Sequence, residues 1–248
     1  MKLVLAEPRY LKDSVIILSE LITDAQMKIS EDHIEIIAMD PANVALIVFK
    51  MLNSAFVEYT VKEERTLGLN LDSLKQVLKR SKPGDTVSLE LDETRNQLIV
   101  EFKGETHRTF HLGLLDTDEK KQRVPDLTFT AKIDTRSLVF DDAIGDMDII
   151  SDSVSFISEN NNLVIQASGT MNEGRVVIGK DEETSIVLQD KQVKSRYSIE
   201  YLKKIIKGSK LSDRISIQFS HDYPLKIDYT VKDVLQLTTI LAPRVDVN

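Results

Sequence analysis

The stretch Leu69–Leu91, LNLDSLKQVLKRSKPGDTVSLEL, recurs without a gap as Tyr197–Phe219, YSIEYLKKIIKGSKLSDRISIQF, 128 positions downstream. Leu74/Leu202, Lys75/Lys203, Lys79/Lys207, Ser81/Ser209, Lys82/Lys210, Asp85/Asp213 and Ser88/Ser216 are identical, and Val77/Ile205, Leu78/Ile206 and Val87/Ile215 stay apolar. A repeat of this length makes the chain a duplicated domain. In each copy a candidate N-cap, Asn70 or Ser198, precedes an acid, Asp72 or Glu200, suited to the positive end of a helix. Leu74, Val77 and Leu78, like Leu202, Ile205 and Ile206, take the i, i+3, i+4 positions of a core-facing stripe. Lys75, Lys79 and Lys82, with Lys203, Lys207 and Lys210, recur at i, i+4, i+7 on the opposite side. Such a lysine face is ordinarily solvated surface. Its recurrence at the same three places in both halves favours an anionic partner.

The 248 residues then divide into two domains of about 120 residues each, large enough to bury a core. With no cysteine the chain has neither disulfides nor thiolate chemistry, which fits a reducing interior, and it shows no signal peptide or long apolar run. The expectation is a cytoplasmic protein without a membrane. The net charge of −8 argues against general polyanion binding. Basic stripes on an acidic body instead confine a polyanion to one surface.

In chain order, residues 1–5 read as a strand, and Leu11, Val15, Leu18, Ile22 and Ala25 as a helix with a weaker basic face at Lys12. Short alternating runs follow over 27–49, 56–61, 66–71, 86–91, 98–102 and 107–112, with turns at Asp40-Pro41, Pro83-Gly84 and Glu93–Asn96. The charged segment LLDTDEKKQRVP is an interdomain connector, set at 116–126 between domains 1–115 and 127–248. The second half repeats the order: strand 128–133, helix 137–147, strands 154–157, 163–167 and 175–178, the basic helix, then strands 215–219, 225–231 and 234–241. The class is α+β, with two helices per domain.

The element order, the run IAMDPANVALI at 37–47, the helix GLNLDSLKQVLKR and the terminal LAPRV together resemble an archaeal proliferating cell nuclear antigen, a DNA sliding clamp. The resemblance spans essentially the whole chain. It implies the DNA-clamp (processivity) fold, a ring of three subunits with sheets outside and helices lining a hole for duplex DNA. Lys12, Lys75, Lys79, Lys82, Lys203, Lys204, Lys207 and Lys210 are then expected to touch phosphates without regard to sequence. It also implies a pocket for partner peptides carrying a Gln, an aliphatic residue and two aromatics, built from Met39, Asn43, Val44, Leu46, Val124, Pro125, Pro224, Ile240, Leu241, Ala242 and Pro243. DNA polymerase, flap endonuclease, DNA ligase and the clamp loader are the implied partners, no cofactor is implied, and the protein is expected at the nucleoid.

Ring closure joins two different edges of each subunit. The family pairs the segment His107, Arg108, Thr109, Phe110, His111 with Arg175, Val176, Val177, Ile178, and Asp142 and Asp146 are expected to face Arg80, Lys82 and Arg108 of a neighbour. Two features depart from the family: the helix over 137–147 is acidic, and Lys120-Lys121-Gln122-Arg123 replaces a bulky aliphatic residue before Val124. Two rival functions remain open on the sequence: a metal-dependent hydrolase using Asp141, Asp142, Asp146 and Asp148, or a scaffold ring without DNA. The first lacks a nucleophile elbow, a phosphate-binding glycine loop and a zinc site, since His107 and His111 sit about 13 Å apart on one strand. The chain is therefore expected not to be an enzyme, and to bind no metal.

Overall fold

Strict alternation of buried and half-buried side chains marks strands such as His33–Met39 and Ser153–Glu159, the period of two that a sheet with one face on a core requires. The computed structural model of the chain describes residues 1–116, 122–190 and 192–244. These form two compact units: Met1–Pro41, Ile47–Val124 and Val231–Leu237 in one, and Ala42–Leu46, Pro125–Thr230 and Thr238–Asn248 in the other.

The first half of the chain runs β1 (Lys2–Leu5), α1 (Arg9–Leu18), β2 (Asp24–Ile29), β3 (His33–Met39), β4 (Ala45–Leu52), β5 (Glu58–Thr60), β6 (Arg65–Asn70), α2 (Leu71–Leu78), β7 (Thr86–Asp92), β8 (Gln97–Lys103) and β9 (His107–Gly113). The second runs β10 (Ala131–Arg136), α3 (Ser137–Asp148), β11 (Ser153–Glu159), β12 (Asn162–Ser168), β13 (Glu173–Ile178), β14 (Ser185–Leu188), β15 (Val193–Ser198), α4 (Ile199–Ile205), β16 (Arg214–Phe219), β17 (Leu225–Val231) and β18 (Leu235–Leu241). Strand neighbours fall in the orders β5-β1-β7-β8-β9 and β6-β2-β3-β4 in the first half, and β14-β10-β16-β17-β18 and β15-β11-β12-β13 in the second. Element for element the two orders are the same, so the repeat is one of topology as well as of sequence.

Apolar faces hold each helix pair to its sheets. α2 buries Leu71, Leu74, Val77 and Leu78, and α1 buries Leu11, Val15, Ile17 and Leu18; each such side chain contributes about 1.5–3 kcal/mol. The second unit is richer in aromatics. Phe156 lies edge-on to Phe140, Tyr197 and Phe219 at 5.2–5.9 Å between ring centroids. Turn chemistry follows the sequence closely. Asn160 and Asn161 both have positive φ (49° and 61°) in the two-residue hairpin between β11 and β12. Gly84 (φ 83°) follows Pro83 in a turn closed by the Asp85 N–H on the Lys82 carbonyl at 3.1 Å, the Pro-Gly type II arrangement.

Several expectations change. α1 ends at Leu18; Ile22 lies past it, and Ala25 is an inward residue of β2 whose spacing matches a helical period by coincidence. α2 ends at Leu78, so Lys82 stands beyond the helix, beside the Pro83-Gly84 turn. Asn70 caps α2 by accepting the Ser73 N–H at 2.9 Å, whereas the Ser198 side chain makes no such bond. Both helices begin on a backbone tie, the Leu71 N–H to the Thr23 carbonyl at 2.8 Å and the Ile199 N–H to the Asp152 carbonyl at 3.0 Å. β14 and β15 were not expected, although β5 and β6 hold the same places one repeat earlier. The chain leaving β9 adds a rung to β6, with the Leu115 N–H on the Gly68 carbonyl at 2.9 Å. A Cβ at Gly68 would lie 2.4 Å from the Leu115 carbonyl oxygen, so this approach requires glycine. Among the described residues no helix is long and apolar enough to cross a membrane.

Candidate nucleic-acid interface and partner pocket

The two basic helices share a sequence pattern but hold their lysines differently. On α2, Lys75 is half-buried and hydrogen-bonded to Asp72 of its own first turn. Lys79, at the C-cap, is exposed and makes no ion pair among the described residues. On α4, Lys203 reaches Asp148 at the end of α3 (2.7 Å), and Lys204 reaches Glu200 (3.0 Å) while lying over the Tyr201 ring. α4 gives way at Ile206–Lys210 to a tighter 3₁₀ turn that carries Lys207 and Lys210. The i, i+4, i+7 stripe is thus helical only in part. Lys203, Lys204 and Lys207 nevertheless converge with Asp148, Asp152 and Glu200 around a cleft of about 420 Å³. Lys12 on α1 is half-buried, next to the Arg9–Asp13 pair at 3.8 Å.

The acids of α3 do not act as a set. Asp141 turns inward, bonded to Ser209, and burial pushes its carboxyl above the ordinary aspartate range. Asp148 is taken by Lys203, while Asp142 and Asp146 face solvent. Among the described residues no group of three or more His, Asp or Glu has the geometry to hold a metal ion. The hydrolase expectation therefore has no cluster to rest on.

The residues expected to form the peptide pocket separate into floor and surface. Leu46, Ile240 and Leu241 are 3%, 7% and 0% exposed and belong to the core. In the second unit, half-buried Val44, Pro224 and Pro243 and exposed Asn43, Pro125 and Ala242 remain available for contact. Asn43 turns the chain with φ 58°, and the Ala242 N–H donates to the Val44 carbonyl at 2.9 Å. The carbonyl of Tyr223, just before Pro224, accepts from the Tyr197 hydroxyl at 2.8 Å, and the Tyr223 ring packs edge-on to Phe129. Neither aromatic was among the expected pocket residues, although Tyr223 directly precedes Pro224. In the first unit, half-buried Met39 and Ile37 of β3, with Gln26 and Lys28 of β2 and Gln122, line a cleft of about 330 Å³. Val124 is exposed, and Lys120 and Lys121 lie outside the described residues.

The two candidate edges also differ. β9 and β13 are the last strands of their sheets. On β9, exposed His107, Thr109 and His111 alternate with half-buried Arg108 and Phe110. Arg108 is committed within its own chain: it pairs with buried Asp85, donates to the Arg80 carbonyl at 2.7 Å and covers the Phe102 ring. That leaves Arg80, Lys82 and the backbone of β9 as the features facing outward. The Lys82 N–H and, after it, the Arg108 guanidinium hold the Asp85 carboxyl below the ordinary range. On β13, Arg175 pairs with Glu159 at 2.7 Å, Val177 is 49% exposed and Ile178 is buried.

Comparison with known proteins bears on the whole chain. Residues 2–122 match the family described as proliferating cell nuclear antigen, N-terminal domain, and residues 123–244 match its C-terminal domain. The chain is 36% identical to the DNA polymerase sliding clamp of Thermococcus fumicolans over 94% of each chain. It is 37% identical to that of Thermococcus onnurineus, again over 94% of each. A crystal structure of PCNA from Thermococcus kodakaraensis superposes with a TM-score of 0.91 at 26% identity, covering 98% of this chain and 99% of that one.

Proposed function

The chain belongs to the proliferating cell nuclear antigen family of DNA sliding clamps, and from that premise we infer how its own residues hold duplex DNA and partner proteins. The family is a non-catalytic processivity factor, so the function is to tether a polymerase to its template. The observation that carries the assignment of a DNA face is the pair of matched basic positions, Lys79 beside α2 and Lys207 beside α4, each just past the end of an apolar helix. Lys75, Lys203 and Lys204 join them by exchanging an internal carboxylate for a phosphate; Lys12, Lys82 and Lys210 extend the surface. Contacts of this kind are made to the phosphate backbone and carry no base readout, as sliding requires.

Three copies close a ring head to tail through β9 and β13, with Asp142 and Asp146 of one copy toward Arg80 and Lys82 of the next; Arg108 supports that edge through Asp85. Residues 116–126 connect domain 1–115 to domain 127–248. Flap endonuclease, ligase and clamp loader are proposed to share with polymerase the surface of the second unit around Val44, Pro224, Ala242 and Pro243, with Leu46, Ile240 and Leu241 as its floor. The protein is proposed to work at the nucleoid. Retention on closed circular DNA, measured against salt, tests the central claim: a salt-sensitive topological complex is expected, and retention equal on linear DNA with free ends would overturn it. Ala242→Glu is expected to abolish binding of a polymerase-derived peptide without changing the mass of the assembly. Leu46→Ala is unsuitable for that purpose, since it opens a cavity in the core.

A further inference from the structure

Pro243 has no N–H, so the segment Ala242–Arg244 is fixed to its surroundings through the two amides that flank the proline. The Ala242 N–H donates to the Val44 carbonyl at 2.9 Å, and the Arg244 N–H to the Arg196 carbonyl on the edge of β15 at 2.6 Å. A third tie comes from a side chain. Nη1 of Arg244 lies 2.8 Å from Oδ2 of Asp152 and 3.4 Å from the Asp152 carbonyl oxygen. That same carbonyl accepts the Ile199 N–H at 3.0 Å, so the anchor stands at the start of α4 rather than on a free loop.

We infer that Asp152 and Arg244 form a latch that holds Ala242 and Pro243 in place as one wall of the partner pocket, and that opening it weakens capture of a partner peptide. The inference rests on the pocket assigned above. The Arg244 guanidinium also holds the Asp152 carboxyl below the ordinary range, so the pair is charged throughout the neutral region. Both side chains remain substantially exposed, at 43% and 77%, which makes the latch weak, salt-sensitive and readily reopened. Asp152 further lines the cleft of Lys203, Lys204 and Lys207, placing one carboxylate between the pocket wall and the basic helix.

The test uses the full assembled chain and a synthetic peptide bearing a Gln, an aliphatic residue and two aromatics. Asp152→Asn and Arg244→Ala are each expected to weaken the peptide by about two- to fivefold, with Arg244→Lys between them and the parent. The double variant is expected to be no weaker than either single one, and the salt dependence of peptide binding to flatten in all of them. Without peptide, amide exchange at Ala242 and Arg244 is expected to quicken in Asp152→Asn while β18 is unchanged. Unaltered exchange at those two amides, or additive losses in the double variant, would overturn the latch. A peptide that fails to bind the parent overturns the pocket assignment, and the exchange data then judge the latch separately.

Discussion

The two copies of the repeat build matching helices in different electrical surroundings. Lys75 finds its carboxylate three residues away in its own helix, whereas the matching Lys203 takes Asp148 from α3. Asp85 is buried against Arg108 of β9, whereas the matching Asp213 is exposed and gives its carbonyl to the Ser137 N–H at the start of α3. Position 80 is an exposed arginine, whereas position 208 is a buried glycine pressed against the Tyr229 ring. The repeated residues set the local fold, and the partners of each charge come from elements outside the repeat. Equal sequence positions therefore have unequal energies, and exchanging them measures by how much.

The largest effect is expected at the last pair. A Cβ at Gly208 would stand 2.3 Å from Cε2 of Tyr229, so Gly208→Arg, which copies the first domain, forces ring and turn apart. A loss of about 1–3 kcal/mol or more is expected, against roughly 0.5–1 for Arg80→Gly. Thermal unfolding of the two variants decides it; equal shifts would mean the domains are equivalent here after all.

Next comes acid sensitivity. The Asp85 carboxyl has a folded pKa below its unfolded one, so the stability it lends is complete above the ordinary aspartate pKa of about 3.9 and is lost as pH falls through the lower folded value. Asp85→Asn should raise the pH midpoint of acid unfolding, and should cost more stability at neutral pH than Asp213→Asn, whose side chain is exposed. A matching response from both would remove the contrast.

On DNA, replacing Lys79 and Lys207 by Ala together should reduce the salt slope of binding by about 1.8, with half of that from each alone. An unchanged slope would show that neither touches phosphate, and a loss confined to one would show that only one domain faces the duplex there.

The smallest expected effect comes from freeing a lysine. Asp148→Asn releases Lys203 from another element and should prolong retention on DNA by up to about fivefold, the worth of an exposed ion pair. Asp72→Asn should do less, because it also removes an acid from the helix N-terminus, where it is favourable. The reverse ranking in a retention assay would contradict the assignment of partners.

How far the sequence was legible follows the same division. Local signals are legible: Asn70 as a cap, the Pro83-Gly84 turn and the apolar stripe of α2 all depend on residues within a few positions. β14 and β15 escape a sequence reading because β14 is only four residues long and β15 carries Lys194 and Arg196 on its outer face, yet the repeat applied to β5 and β6 locates both. Lys82 was placed on a helix because periodicity persists in a sequence after the backbone has turned. Leu46, Ile240 and Leu241 were assigned to a binding surface, although an apolar residue beside a pocket and one beneath it read alike. The pairings Lys203–Asp148 and Arg244–Asp152 were out of reach; the latter joins residues 92 positions apart, and no local pattern announces it.

The Lys203–Asp148 contact bears on friction. A bare ammonium meeting a phosphate would fall into a well and have to climb out before the next step along the strand. An ammonium that already holds a carboxylate at 2.7 Å exchanges one anion for another. The difference between docked and undocked states then shrinks toward the 0.2–1 kcal/mol typical of exposed pairs, about the size of thermal energy. On the DNA face proposed above, a surface corrugated on that scale would offer little drag, and the acids beside these lysines would act as a lubricant for a protein that must stay on its track without stopping anywhere along it.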